Sequence, residues 1–312
     1  VIGNNNNIRG TAAGIVIGDN RNNTELTDSI IIGSLSTDEK NSADNDIRGR
    51  NMVVIGYHAF GGDGSTAIGS RVKTLGPAST AVGIRSTVEA MTYYASLYGI
   101  DNKISTESDT GFGVSIATGA FGMLNKVDSS FNSMVFGTGN RVTNAFGNIN
   151  EGIEGGFLSG RMGELLYHGG DNIGYKEHFS EIMGDYATLN GGSVFALGNG
   201  NVSDYARRSS IVGTGNILNG TETAASDYNM VTGYQNKANN VNNVSVMGTG
   251  NKLSDATTDV VIGDYHTLSG GKNNVILGTM GTKDGYEEQT YTPQSYAHTT
   301  GDLQWTGDTL IM

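Results

Sequence analysis

The sequence predicts an all-β solenoid, on the strength of its composition, a recurring apolar motif and the spacing of apolar residues after that motif. The chain has 312 residues, of which 48 are Gly, 32 are Asn and only 2 are Pro, and 37% are hydrophobic. This is little apolar material for the thick core of a globular domain, and the Gly residues lack the collagen period. A narrow structure with extensive backbone pairing fits this composition better.

A pair of apolar residues followed by Gly recurs along the chain, as in Val16-Ile17-Gly18 and Ile31-Ile32-Gly33. Including weaker copies at Gly3, Gly119 and Gly233, most successive copies lie 13–16 residues apart, which indicates a repeat architecture. The clearer copies predict structural coil glycines at Gly18, Gly33, Gly56, Gly69, Gly83, Gly99, Gly137, Gly184, Gly198, Gly213, Gly248, Gly263 and Gly278.

A second pattern follows the Gly, as in Gly99-x-x-Asn102-x-Ile104. Residues two apart lie on the same face of a strand, so Asn102 and Ile104 share a face. Each unit of 14–15 residues is therefore interpreted as one coil of two short strands joined by tight turns, with Gly supplying positive φ angles. No segment of the regular part keeps a 3.6-residue period, so no helix is predicted there.

Both residues before the Gly are apolar in nearly every copy. Adjacent strand residues point to opposite faces, so such a strand must be buried on both faces. A narrow coil made by one chain has only one interior. The pattern therefore predicts that another chain covers the second face.

Charge and composition exclude several classes of function. The net charge is −12 and no basic patch is visible in the sequence, which argues against nucleic-acid binding. There is no apolar run of membrane-spanning length and no signal segment, and the chain opens at Val1, so we expect a piece of a longer protein. The lack of Cys excludes a disulfide framework and is compatible with export.

The segments Ser65-Thr66-Ala67-Ile68-Gly69 and Ser79-Thr80-Ala81-Val82-Gly83 resemble the YadA-like head repeat of trimeric autotransporter adhesins. The resemblance covers about residues 1–283. It implies a left-handed parallel β-roll in which three chains pack around one axis as a homotrimer. Such a trimer would supply the second burial surface, and closed cyclic symmetry is common among homo-oligomers.

The chain departs from the family pattern in two places. The small Ala residues that the family has after the Gly are often replaced by Asn and then Val, Ile or Leu, so we expect a bulkier interior with Asn side chains hydrogen-bonded up the stack. No neck motif is recognisable after Gly278, and residues 284–312 lack the repeat. We therefore predict a head domain over 1–283, followed over 284–312 by a non-repeat β cap or the start of another module.

Insertions in a solenoid lie in its turns and often form binding surfaces. The largest spans about 145–180, although degenerate coils ending at Gly160 and Gly174 could account for part of it. The ligand-binding candidates there are Leu165, Tyr167, His168, Tyr175, Lys176 and His178. His168, Asp171 and His178 match no compact metal motif, so no metal, cofactor or catalytic residue is predicted.

The predicted function is that of a non-enzymatic adhesin head on a bacterial surface, outside the cell and anchored in the outer membrane through a part missing from this chain. Its expected partners are a host cell-surface or extracellular-matrix protein, or another bacterium. The alternative is a trimeric phage tail-fibre segment that binds a receptor. A solenoid enzyme acting on polysaccharide is disfavoured because no paired carboxylates are recognisable.

Overall fold

The computed structural model describes residues 1–36, 47–106, 115–130, 133–143, 155–161, 163–166, 179–221, 223–280, 290–291 and 309–311. These residues form strands, turns and bends without a helix, which confirms the predicted all-β class. No described segment could therefore cross a membrane as a long apolar helix. The chain divides into unit 1, Val1–Phe146 with Ile153–Leu158, and unit 2, Gly147–Gly152 with Ser159–Met312.

Most strands are two to six residues long, and the longest, with 13 residues, lies in unit 2. In chain order they are β1 (Asn7–Arg9), β2 (Ile15–Ile17), β3 (Asn22–Thr27), β4 (Ile30–Ile32), β5 (Ile47–Arg50), β6 (Val53–Ile55), β7 (Phe60–Gly61), β8 (Thr66–Ser70), β9 (Lys73–Thr74), β10 (Thr80–Ile84), β11 (Thr87–Val88), β12 (Thr92–Tyr93), β13 (Ser96–Ile100), β14 (Lys103–Ser105), β15 (Ser115–Ile116), β16 (Gly119–Met123), β17 (Lys126–Asp128), β18 (Ser133–Thr138), β19 (Arg141–Thr143), β20 (Gly155–Arg161), β21 (Glu164–Leu166), β22 (Phe179–Met183), β23 (Thr188–Leu197), β24 (Val202–Thr214), β25 (Ile217–Asn219), β26 (Ser226–Asp227), β27 (Met230–Tyr234), β28 (Lys237–Asn239), β29 (Ser245–Thr249), β30 (Lys252–Ser254), β31 (Val260–Asp264), β32 (Thr267–Ser269), β33 (Asn274–Thr279), β34 (Thr290–Tyr291) and β35 (Thr309–Ile311).

Strands pair in parallel with the equivalent strands of neighbouring repeats. In unit 1, β10 lies between β8 and β13, which brings Gly69, Gly83 and Gly99 into register. In unit 2, β27, β29 and β31 form one column of strands, and β28, β30 and β32 form a second. These are the two strands predicted for each repeat. We call the column that contains the repeat glycines the first column.

Each regular repeat also has a third side that the two-strand prediction left out. In unit 2 it is a single bridged residue, paired in parallel from Asp227 to Asn242 and from Asn242 to Thr257, and in unit 1 it includes the paired two-residue strands β12 and β15. Three corners separate the three sides, and in one repeat they are Gln235, Asn240 and Asn243, with φ angles of 54°, 51° and 56°. Left-handed backbone costs about 1–2 kcal/mol for most residues but little for Gly, and Asn tolerates it better than most.

The core of each unit is thin. Its main line consists of the residues two positions before the repeat glycines, such as Val231, Val246 and Val261, which have no solvent exposure. The second column adds buried residues such as Ala238 and Leu253. One short line of side chains per strand suffices because successive repeats cover each other, which explains the low apolar content.

The register corrects one predicted repeat. Gly119 was assigned as a repeat glycine, but Gly122 lies between Gly99 and Gly137, whereas Gly119 pairs with Met134. Ala117, two before Gly119, is exposed in a left-handed corner and cannot fill the core. The assignment was wrong because the two glycines lie three residues apart and each has an Ala two positions before it, Ala117 and Ala120.

The described parts of 284–312 extend both columns of unit 2. β34 pairs in parallel with β32, and β35 pairs in parallel with β33. The boundary between the two units falls inside the segment 145–180 that was predicted as the largest insertion.

Candidate functional site

The structure describes only one of the six residues predicted to bind a ligand. Leu165 lies in β21, where its backbone pairs with that of Leu189 in β23. The other five candidates lie outside the described residues, so a ligand site in this segment stays a prediction: Tyr167, His168, Tyr175, Lys176 and His178.

Within each unit, successive repeat glycines lie so close together that most of them leave no room for a side chain. A Cβ atom on Gly69 would overlap the carbonyl oxygen of Gly83, and one on Gly83 would overlap that of Gly99. All thirteen glycines predicted from the sequence have φ between 108° and 152°. Both the close approach of the backbones and the positive φ explain why Gly recurs at this position.

The residue three positions after the repeat glycine, here called the rung residue, is often Asn. The Asn236 amide donates through Nδ2 to the carbonyl oxygen of Gly248 at 2.7 Å, and its Oδ1 accepts from the backbone N–H of Asn251 at 3.0 Å. Asn251 makes the same two bonds, to Gly263 and from His266. These hydrogen bonds confirm the expectation of Asn side chains linked up the stack.

Arg21 is the rung residue of the repeat that begins at Gly18, and it is completely buried. Its guanidinium donates to the carbonyl oxygens of Gly33 at 2.6 Å, Ala59 at 3.0 Å and Gly56 at 3.1 Å. Burial lowers the pKa of Arg21 to about 10. One side chain thus ties its own repeat to the two that follow.

Asp259 is a buried acid four positions before the repeat glycine Gly263. Its Oδ1 accepts from the backbone N–H and side-chain Nδ2 of Asn274 at 2.6 and 2.9 Å, whereas its Oδ2 has no hydrogen-bond partner. Burial raises the pKa of Asp259, and the bonds from Asn274 oppose that effect. Its position inside the coil makes it a structural group.

The residues immediately before the repeat glycines form an apolar row on the outside of each unit. Tyr98 is 41% exposed, and its ring stacks on Phe121, which stacks on Phe136, with centroid separations of 5.3 and 4.9 Å. The apolar row of unit 1 consists of Ile17, Ile32, Ile55, Ile68, Val82, Tyr98, Phe121 and Phe136, none of which is buried by the chain itself.

The same position in unit 2 also carries apolar side chains that are open to solvent. Met247 and Ile262 are 44% and 42% exposed, whereas their strand neighbours Val246 and Val261 are completely buried. The row of unit 2 consists of Met183, Leu197, Val212, Met247, Ile262 and Leu277, with the polar Thr232 between Val212 and Met247. Contiguous apolar surfaces of this kind mark sites of interaction.

A groove of about 600 Å³ lies beside the first column of unit 2. Arg208 lines it, with its guanidinium 5.2 Å from the ring centroid of Tyr228 and an ion pair to Asp227. The remaining lining includes Glu181, Phe195 and Met230. Of its other polar lining, Asn229 donates to the Val241 carbonyl oxygen at 3.0 Å and the Ser209 hydroxyl donates to the Arg207 carbonyl oxygen at 2.7 Å.

Across the part of the chain that the structure describes, no group of three or more His, Cys, Asp or Glu could hold a metal ion. The described surface offers two rows of mostly apolar side chains and a set of exposed corners, several of which carry Tyr.

Comparison with protein-family models gave no match, and comparison with curated proteins gave none either. The resemblance to the YadA-like head repeat therefore stays a prediction from the sequence.

Proposed function

We propose that this chain is the head of a bacterial surface adhesin: a left-handed parallel β-roll that assembles as a homotrimer and binds other surfaces without catalysis. The repeat resemblance motivates the proposal. The observation that carries it is the pair of outward apolar rows, one on each unit.

Burial of these rows would stabilise an assembly. Each Å² of apolar surface removed from water contributes about 25 cal/mol, and the row residues of unit 2 that are exposed keep more than two fifths of their area open. Strand pairing repeats the row residues about every 4.8 Å, so a second copy presents the same spacing. Three copies around one axis would cover every row with another copy of the same surface.

Assembly of this kind leaves the second column and the corners of each chain facing outward. Three identical copies of such a surface bind a multivalent target with avidity, because the second and third contacts become intramolecular. We infer a host cell-surface or matrix protein, or another bacterium, as the target. Attachment to the outer membrane would come through a part of the protein not contained in this chain.

The test of assembly is the mass of the chain in solution, measured by light scattering. We expect about three times 32.7 kDa. The double variant Met247→Glu/Ile262→Glu places charges in the apolar row and should give a smaller species. The matched control Ser254→Glu/Ser269→Glu adds the same charges at two directly paired positions of the second column and should keep the native mass. A folded, monomeric native chain would contradict the proposed trimer.

Adhesion is tested separately, by coating beads with the native chain and measuring their binding to host cells and matrix proteins. We expect the native beads to bind and beads carrying the row variant to bind less, because avidity is lost. A trimer that binds none of these targets would contradict adhesion while leaving the assembly proposal intact.

A further inference from the structure

The second column of unit 1 carries a row of basic side chains. Lys73, Lys103, Lys126 and Arg141 occupy the same position in their repeats, with Thr87 between the first two. Parallel pairing sets Lys103 directly beside Lys126, and Lys126 beside Arg141. With strands about 4.8 Å apart, the row runs for about 20 Å.

These side chains point away from the core. The residues that follow them, such as Ile104, Val127 and Val142, are completely buried, and successive strand residues face opposite sides. Lys103 and Lys126 are partly exposed and Arg141 is exposed. The row is therefore accessible along its length in this chain.

Two further cations, Arg71 and Arg85, are exposed at the corner that precedes the second column. Together they complete what we call the basic face: Arg71, Lys73, Arg85, Lys103, Lys126 and Arg141. These six are all the Lys and Arg residues between positions 51 and 160, although the chain carries a net charge of −12. The cations of this region are thus gathered on one side of unit 1.

Three described acids lie along the same strands and corner. Glu89 pairs with Lys103 at 2.8 Å, and Asp101 pairs with Arg85. Asp128 is buried and accepts from the Ser105 hydroxyl at 3.1 Å. Exposed ion pairs contribute little and exchange readily, so the two surface pairs do not prevent a polyanion from binding.

The fold does not require this row. Thr87 holds the same position within the row, and Thr267 holds it in unit 2, so a neutral side chain fits. Like charges on directly paired residues destabilise a sheet. A bound anionic chain would remove that repulsion and displace counterions.

We infer that the basic face binds a linear sulfated polysaccharide that lies along the row, with its sulfate groups against the basic side chains. A thin, flexible polyanion suits a single line of cations about 20 Å long. Duplex nucleic acid fits the row less well because it carries its phosphates on two strands separated by wide grooves, and a single line of cations would contact only one of those strands. The inference names a ligand for the proposed adhesion function, and only its biological role rests on that proposal.

The probe is immobilised heparin, and the protein is the full chain. The variant Lys103→Gln/Lys126→Gln removes two adjacent cations of the basic face. The matched control Lys237→Gln/Lys252→Gln removes two directly paired lysines from the same repeat position in unit 2. Circular dichroism and light scattering confirm that both variants keep the native fold and mass.

We expect native binding to weaken as salt rises. The Lys103/Lys126 variant should bind about tenfold more weakly, with a slope of log affinity against log salt that is shallower by about 1–2. The control should stay within about twofold of native.

Equal losses in the two variants, or no loss in either, would overturn the site. Competition by duplex DNA as strong as that by heparin would indicate a nucleic-acid surface and overturn the ligand class. Beads that bind cells but not heparin would overturn this inference and leave adhesion standing. Heparin binding through Lys103 and Lys126 by a protein that binds no cell supports the inference and contradicts adhesion.

Discussion

Two sets of repeats pair their strands in the same way but differ at the rung residue. The repeats of unit 2 that we call Asn-rung repeats have Asn201, Asn216, Asn236 and Asn251. The repeats of unit 1 that we call plain repeats have Ala59 and Val72. The Asn side chains bond to the next glycine carbonyl and the next rung residue, and Ala and Val side chains cannot do this.

The features that both sets of repeats share are the ones that the fold requires, and the features that differ between them are ones that it accepts. Both sets keep the glycine line and the buried residue two positions before it, so these features define the repeat. The rung is optional, and at the start of the plain repeats Arg21 reaches across to supply bonds to the carbonyl oxygens of Gly56 and Ala59.

The largest loss of stability is expected at the repeat glycines, which the plain and the Asn-rung repeats share. Gly69→Ala, in the plain repeat of Val72, and Gly248→Ala, in an Asn-rung repeat, each place a Cβ against the next glycine carbonyl, and each should lower the free energy of unfolding by about 4 kcal/mol or more. Chemical denaturation measures this. The control is Gly270→Ala, where φ is +67° and no atom lies within 4 Å, with an expected loss of about 1–2 kcal/mol. A large loss at Gly248 together with a loss at Gly69 no larger than at Gly270 would show that only the Asn-rung repeats depend on close backbone approach.

Arg21→Met tests the link between the first repeats and the plain repeats. It removes the donors to three carbonyl oxygens and should cost about 3 kcal/mol, since bonds from charged groups are strong and buried acceptors would be left unpaired. Denaturation midpoints measure it, with Arg9→Met at an exposed position as the control. If Arg21→Met and Arg9→Met are equally stable, the buried guanidinium of Arg21 contributes nothing to stability, and Arg21 is not a stabilising rung residue.

Asn236→Ala converts one Asn rung into a plain one. It leaves the Gly248 carbonyl and the Asn251 N–H without this partner, so we expect a loss of about 2 kcal/mol. The nearby Asn239→Ala changes a partly exposed residue of the second column and should stay within about 0.5 kcal/mol of native. If Asn236→Ala leaves the free energy of unfolding nearly unchanged, the hydrogen bonds of the Asn rung residues do not stabilise the fold.

Asp259→Asn should stabilise unit 2 by about 1 kcal/mol at pH 7, because it removes a buried charge. At the equivalent position, the Asn229 amide donates to the Val241 carbonyl oxygen at 3.0 Å, a bond that the carboxylate cannot make. Thermal unfolding at several pH values measures the difference between the variant and the native chain.

The pH dependence follows from the direction of the pKa shift. Burial raises the pKa of Asp259 above its ordinary 3.8, so the folded state holds the proton more tightly than the unfolded state. The contribution of Asp259 to native stability is therefore fully present below pH 3.8 and is lost as the pH rises through the raised pKa. The advantage of the Asn variant should shrink on acidification, and an advantage that grows in acid would contradict this account.

Much of the repeat could be predicted because its signals are local. An apolar residue two positions before Gly predicts the core, and the neighbour next to Gly predicts the outward row, because strand residues alternate. The prediction was wrong at Gly119, because Gly119 and Gly122 carry the same local signal, and it left out the third side, which is only one or two residues long. The ligand candidates of 145–180 lie almost entirely outside the described residues and stay predictions.

The sequence by itself determined the all-β class, the repeat length and the inner and outer residues, because each follows from spacings within about 15 residues. Only the tertiary structure decided the contacts between repeats: Asn236 with Gly248, Arg21 with Ala59, and the line of Lys103, Lys126 and Arg141. The cations of that line are 15 or more residues apart in the sequence, so no basic cluster is visible there. The lengths of the intervening turns decide which residues can lie side by side. Backbone pairing between neighbouring repeats then fixes that register.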